Sequence, residues 1–163
     1  FGFNEWSWIH ATGDNPVSEW NIYVDPEAAK IVFESGMKVT AIGMEILTHP
    51  AIDLRPQDFE KLHAATNRES KHMLDIFDWV DGRGFRAYCI LMDSMAVAAA
   101  IDPTLFSTRA VNVGIETRGE YTRGMTVVDI RANFRWEHLP LINAVHDADF
   151  NRFLDTLVDT IVR

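Results

Sequence analysis

A single cysteine, Cys89, in 163 residues excludes an intrachain disulfide and any cysteine-based zinc site. Its place in the apolar run Ala87-Tyr88-Cys89-Ile90-Leu91 marks it as a core residue. Basic charge is scarce as well: 15 Lys and Arg stand against 24 Asp and Glu, a formal net charge of −9. A chain so acidic offers no basic face to a phosphate backbone or an anionic membrane surface, so neither nucleic acid nor membrane is expected as a partner. No apolar run approaches the roughly 18 residues of a membrane span. Six prolines and nine glycines are spread too thinly to form a linker. Nothing repeats, and no low-complexity segment divides the chain.

Apolar material is plentiful. At 47% hydrophobic and 24% charged, the composition is that of a folded domain rather than a disordered one. A chain of this length buries roughly two-thirds of the surface it exposes when unfolded. It begins Phe1-Gly2-Phe3 without an initiator Met, directly before the aromatic cluster Phe1, Phe3, Trp6 and Trp8. Termini are usually polar and expendable, so this start reads as cut from the interior of a longer polypeptide. No signal peptide is visible, and a cytoplasmic location is expected.

Helix and strand signals alternate. Asp25 can cap a helix over 26–36, with Pro26 in its first turn, Glu27 at the positive dipole end and Gly36 as terminator. Val39 to Met44 reads as a short buried strand. Residues 56–66 and 68–80 read as two helices, the second carrying Met73, Ile76, Phe77 and Val80 at helical spacing before Gly82 and Gly84. Phe85 to Leu91 is expected to be another buried strand, leading to Asp93 and a helix over 95–101. Ala110 to Glu116 and Met125 to Arg131 alternate as two strands around Gly119, and Leu141 to Val145 is a further short one. Phe150, Phe153, Leu154, Leu157, Val158, Ile161 and Val162 make the last helix, capped by Asp147 or Asp149. The expected class is therefore α/β, a layered fold with helices flanking a sheet.

In such folds ligands sit beyond the carboxyl ends of strands. That rule singles out Asp93, past the 85–91 strand, and Glu45 to His49, past the 39–44 strand. Asp93 can present its oxygens to a hard cation, or simply cap the following helix. Glu19 and Asn21, if extended, point to one side and can grip vicinal hydroxyls together; the competing reading is ordinary loop polarity. Trp6, Trp8 and Trp20 are candidates to stack on a flat base or to join a core. The histidines form no ligand set by spacing, although His10 and His49 lie near the candidate edge. His146-Asp147-Ala148-Asp149 reads as a helix start rather than a metal site.

Several ordered segments carry a family likeness. Pro16-Val17-Ser18-Glu19-Trp20-Asn21-Ile22-Tyr23-Val24-Asp25-Pro26-Glu27-Ala28-Ala29 closely resembles the Pro-x-Ala-Glu-(Phe/Trp)-Asn … Asp-Pro-Glu-Ala-Ala stretch of the nucleoside hydrolases. Met92-Asp93-Ser94-Met95-Ala96 is similar to that family's His-Asp-Pro-Leu-Ala segment, with Ile101-Asp102-Pro103 following. Glu116 to Asp129 resembles its late Glu-Thr-x-Gly-x-Thr-x-Gly stretch. The resemblance implies the C-terminal half of a mixed, mostly parallel, Rossmann-like sheet with flanking helices. It implies hydrolysis of the N-glycosidic bond of ribonucleosides at a calcium ion, Ca2+, that holds ribose hydroxyls and a water. By match, Asp93 would be a calcium ligand, and Glu19 and Asn21 would bind ribose hydroxyls.

Three departures qualify the match. The family's aspartate-rich opening motif, with most calcium ligands and the general base, is absent from this chain. Met92 stands where relatives carry His or Trp, and it can donate no proton to a leaving base. Gly13 replaces an Asn, for which Asn15 could substitute only if the loop shifts. Residues 1–163 are thus expected to be the C-terminal portion of one nucleoside hydrolase domain, inactive alone. A second chain with the Asp-rich motif is expected to complete an oligomeric assembly acting on ribonucleosides, purines slightly favoured. The alternative is a structural or binding subunit without turnover; a third reading keeps the chemistry but acts on a different N-riboside.

Overall fold

The computed structural model describes residues 15–85, 88–129 and 136–163. The opening aromatic cluster, His10, Gly13, and the parts of the expected 85–91 and 125–131 strands at 86–87 and 130–131 lie outside the described residues. The chain divides into two compact units: one of residues 1–46 and 107–147, the other of 47–106 and 148–163.

The first unit is built around a sheet. Its helices are α1 (Trp20–Val24), α2 (Pro26–Glu34) and α3 (Met44–Leu47), and its strands are β1 (Thr40–Ala41), β2 (Phe106–Ile115), β3 (Thr126–Val128) and β4 (Leu141–Ala148). The sheet order is β1-β4-β2-β3. β1 runs parallel to β4, with Thr40 opposite Asn143, while β2 and β3 are antiparallel, with Val113 opposite Val128. The sheet is therefore mixed. Val111, Val113, Ile115, Ile142 and Ala144 form its buried core, and Ile22, Ala29 and Phe33 of the helices pack on it. α2 forms where its end signals place it: the Asp25 carboxylate accepts from Ala28 N–H, Pro26 holds the first turn, and Gly36 adopts φ 76° just beyond.

The second unit is mainly helical: α4 (Pro56–Ala64), α5 (Arg68–Asp81), α6 (Tyr88–Ile101) and α7 (Phe150–Ile161), with 3-10 turns at Pro50–Ile52 and Pro103–Leu105. Leu62, Phe77, Met95, Phe153, Leu154 and Val158 are buried. α7 starts where Asp149 accepts from Arg152 N–H, as its sequence predicts. Asn67 caps α5 through Ser70 N–H and also donates to Ile161 O at 2.6 Å, fixing α5 against the end of α7.

Four expectations are corrected. Tyr88 to Leu91 is helical, so Asp93 lies within a helix and not beyond a strand; the whole 14-residue stretch is apolar apart from Asp93 and Ser94, and a short apolar run fits a buried strand and a buried helix equally. The 39–44 strand shrinks to Thr40–Ala41 because Met44 begins α3. Glu19 to Asn21 does not alternate along an extended segment: Glu19 is extended, but Asn21 is in α1. β4 reaches Ala148, placing His146 and Asp147 on a strand, and only Asp149 serves as the cap.

Candidate functional site

α1 has strand-favouring composition (Trp-Asn-Ile-Tyr-Val), and a five-residue helix is not stable by propensity. The Glu19 side chain supplies what propensity does not. Its Oε1 accepts from Asn21 N–H at 2.9 Å and its Oε2 from Ile22 N–H at 3.2 Å, satisfying two donors of the first turn. Tyr23 N–H donates to Glu19 O at 2.8 Å. A carboxylate has about four lone-pair sites, so this capping leaves each oxygen able to accept again. Asn21 is exposed on the first turn of the same helix, and Trp20 is 50% exposed beside Tyr23, with ring centroids 6.4 Å apart.

Asn15 belongs to the support of this segment. Its Oδ1 accepts from Val17 N–H at 3.1 Å and from the Ser18 hydroxyl at 2.8 Å, and its Nδ2 donates to Arg123 O at 2.8 Å. Both lone pairs of the amide oxygen are therefore occupied. Ser18 is fully buried.

The structure thus brings Asn15, Glu19, Trp20 and Asn21 together in the first unit. Asp93 belongs to the second. It is exposed on α6, on the same side as Ala96, Val97, Ala100 and Ile101, whereas Leu91 and Met95 face the core. Asp93 can offer a carboxylate to one hard cation. Among the described residues no three His, Cys, Asp or Glu side chains gather as a metal site, so these residues do not make up a calcium-binding set. The other edge residue, His49, is occupied structurally: its Nδ1 accepts from Ala51 N–H at 3.2 Å and its ring stacks on Phe150 at 4.6 Å.

The loop between β2 and β3 contains residues that the periodicity of the sequence could not single out. The Glu116 carboxylate accepts from Arg118 N–H and Gly119 N–H at 2.8 and 3.0 Å, and these backbone donors hold it below the usual carboxylate range. Arg123 reaches Glu27, and its hydrogen bonds to that side chain lower Glu27. Their only sequence signal is that both lie in the stretches carrying the family likeness. A separate cavity of about 410 Å³ in the second unit, lined in part by Phe59, Phe77 and Phe85, involves none of the predicted residues.

Among the described residues, no helix is long and apolar enough to cross a membrane. The sequence pattern of the inosine-uridine preferring nucleoside hydrolases matches residues 9–155. The chain is 36% identical over 151 residues to the pyrimidine-specific ribonucleoside hydrolase RihA of Shigella boydii serotype 4 (strain Sb227), covering 90% of the chain and 47% of that relative. Among solved structures, a purine-preferring ribonucleoside hydrolase from Gardnerella vaginalis superposes with a TM-score of 0.71 at 28% identity, covering 90% of this chain and 46% of that one. An inosine-guanosine nucleoside hydrolase gives 0.79 at 21% identity, covering 99% and 50%, a likeness of fold. The chain spans about half the length of the curated relatives it matches. Its α/β fold agrees with these structures, and the chain belongs to the inosine-uridine preferring nucleoside hydrolase family.

Proposed function

We propose that this chain forms the C-terminal half of a calcium-dependent ribonucleoside hydrolase, completed by a half that bears the aspartate-rich motif. The observation that carries this reading is the family match across residues 9–155, which spans both the Glu19–Asn21 segment and Asp93. In this reading Asp93 would give one carboxylate to the ion, and the aspartate-rich half would give the other ligands and the general base. Bound calcium would orient the sugar hydroxyls and lower the pKa of a water.

This chain's own residues bind and orient. Glu19 accepts from ribose hydroxyls through the lone pairs its capping leaves. Asn21, exposed one turn position later, donates and accepts beside it. Asn15 fixes the start of their segment. The preferred substrates in this reading are purine ribonucleosides, as the likeness of fold to an inosine-guanosine nucleoside hydrolase and the 28% identity to a purine-preferring one support. Met92 takes no part in proton transfer, because a thioether has no proton to give. The apolar surface of Ala96, Val97, Ala100 and Ile101 beside Asp93 supports a covering polypeptide there, since a helix apolar all round is normally buried.

The test is to assay free base and reducing sugar from inosine and uridine, using the chain alone and the chain combined with the aspartate-rich half. Turnover is expected only from the combination, with inosine ahead of uridine. If calcium and the combined protein release nothing from any common nucleoside, the hydrolase reading fails.

A further inference from the structure

The loop after β2 touches the Asn15–Glu27 stretch at three separate places. Arg123 grips the Glu27 carboxylate as a fork, Nη1 to Oε1 at 3.0 Å and Nη2 to Oε2 at 3.1 Å. The same Nη1 donates to Thr117 O at 2.8 Å, which holds the guanidinium to its own loop. The carbonyl of Arg123 accepts from Asn15 Nδ2 at 2.8 Å. One residue on, Gly124 is buried with φ +80°, and a Cβ placed there would come within 2.7 Å of Tyr23 Cα and 3.2 Å of Ser18 Cβ. Backbone cannot yield as a flexible side chain can, so the close approach of this loop to α1 requires glycine. Gly124 N–H donates to Glu116 O at 2.7 Å, closing the loop on itself.

These contacts bracket α1. Asn15 lies before it, Tyr23 within it, and Glu27 beyond it in the first turn of α2. We propose that Arg123 and Gly124 are positioning residues for the Glu19–Asn21 segment, fixing a helix too short to be rigid by itself so that both side chains present a set geometry to a sugar. This rests on the reading of that segment as the ribose contact. A half-exposed ion pair adds little to global stability, so the effect of losing it should be local. Lysine at 123 would keep the charge but not the two-nitrogen fork.

The experiment compares wild type, Arg123→Ala, Arg123→Lys and Glu27→Gln by two readouts. Amide hydrogen exchange is followed at Asn21 and Ile22, whose N–H groups donate to Glu19, and in α4 and α5 as a reference. Arg123→Ala is expected to accelerate exchange at Asn21 and Ile22 by about tenfold and leave α4 and α5 unchanged. In the protein combined with its aspartate-rich half, KM for inosine is expected to rise about tenfold with kcat within about threefold, and Arg123→Lys to fall between. Unchanged exchange at the two amides overturns the proposal. So does an equal rise in α4 and α5, which would mean simple unfolding, or a loosened segment with KM unaltered. If wild type hydrolyses no nucleoside while Arg123→Ala still loosens the two amides, the ribose reading fails and the positioning of the segment stands.

Discussion

Arg55 and Asp58 meet as a fork, Nε to Oδ2 at 2.7 Å and Nη2 to Oδ1 at 2.7 Å, with the Asp58 side chain fully buried. Asp58 Oδ2 also accepts from Arg55 N–H at 2.9 Å, so one carboxylate both caps α4 and neutralises the guanidinium. Burial raises the Asp58 carboxyl, but the side-chain and backbone hydrogen bonds from Arg55 outweigh it and leave the group below its ordinary value. Arg55 also pairs with Asp155, so losing Asp58 leaves the guanidinium one partner but removes the cap of α4. Asp58→Ala should therefore destabilise the chain by about 1–2 kcal/mol, measured as a lowered urea midpoint at neutral pH.

The same pair sets a pH dependence. A carboxyl depressed in the folded state contributes stability that is present above its unfolded pKa, about 3.9, and is lost as pH falls through the folded value. Wild type should lose stability on acidification below about pH 4. The Asp58→Ala variant should show a shallower loss over that range. Urea titrations at pH 7 and pH 3 measure the difference, and parallel curves would remove Asp58 from the account.

Two glycines with similar backbone angles should respond differently to substitution. Gly36 has φ +76° and nothing within 4 Å of an added Cβ, so Gly36→Ala carries only the left-handed penalty of about 1–2 kcal/mol. Gly124 has φ +80° and meets the Tyr23 backbone at 2.7 Å, so Gly124→Ala should cost clearly more. Thermal unfolding of the two variants side by side gives the order, and equal losses would contradict the close packing of the 116–125 loop on α1.

How far the sequence could be read depended on the kind of signal each element carries. α2 and α7 were legible because caps and period agree, Asp25 with Pro26 and Asp149 before the amphipathic α7, and α5 because Met73, Ile76, Phe77 and Val80 recur at helical spacing. α6 was misread because four or five apolar residues before Asp93 carry no period that separates strand from helix. α1 was missed because nothing in Trp-Asn-Ile-Tyr-Val favours a helix; the Glu19 side chain, folding back on the next amides, makes it one. Within the candidate site, Asp93 was singled out as lying past a strand and Glu19 with Asn21 as alternating on an extended segment; the structure puts Asp93 in α6 and Asn21 in α1, so only the family likeness still points to them. The Glu27–Arg123 contact joins residues 96 positions apart, a relationship no local pattern encodes.

The outward face of α6 gives a prediction that separates folding from assembly. Ile101 is 77% exposed and Val97 60% exposed, so Val97→Ser with Ile101→Ser should change the stability of the chain alone by no more than about 0.5 kcal/mol per site. Leu154, fully buried, should cost about 2–5 kcal/mol as Leu154→Ala. Binding of the aspartate-rich half should weaken in the α6 double variant. Calorimetry of that association is the check, and unaltered affinity would place the covering polypeptide elsewhere.

Asp93 bears most directly on the central claim. The decisive measurement is calcium-dependent release of free base from inosine and uridine by the chain combined with its aspartate-rich half, comparing wild type with Asp93→Ala at matched assembly. Wild type is expected to show turnover that a calcium chelator abolishes, and the variant a loss of at least about a hundredfold with the complex intact. Equal turnover in the two proteins, or turnover indifferent to the chelator, would contradict it.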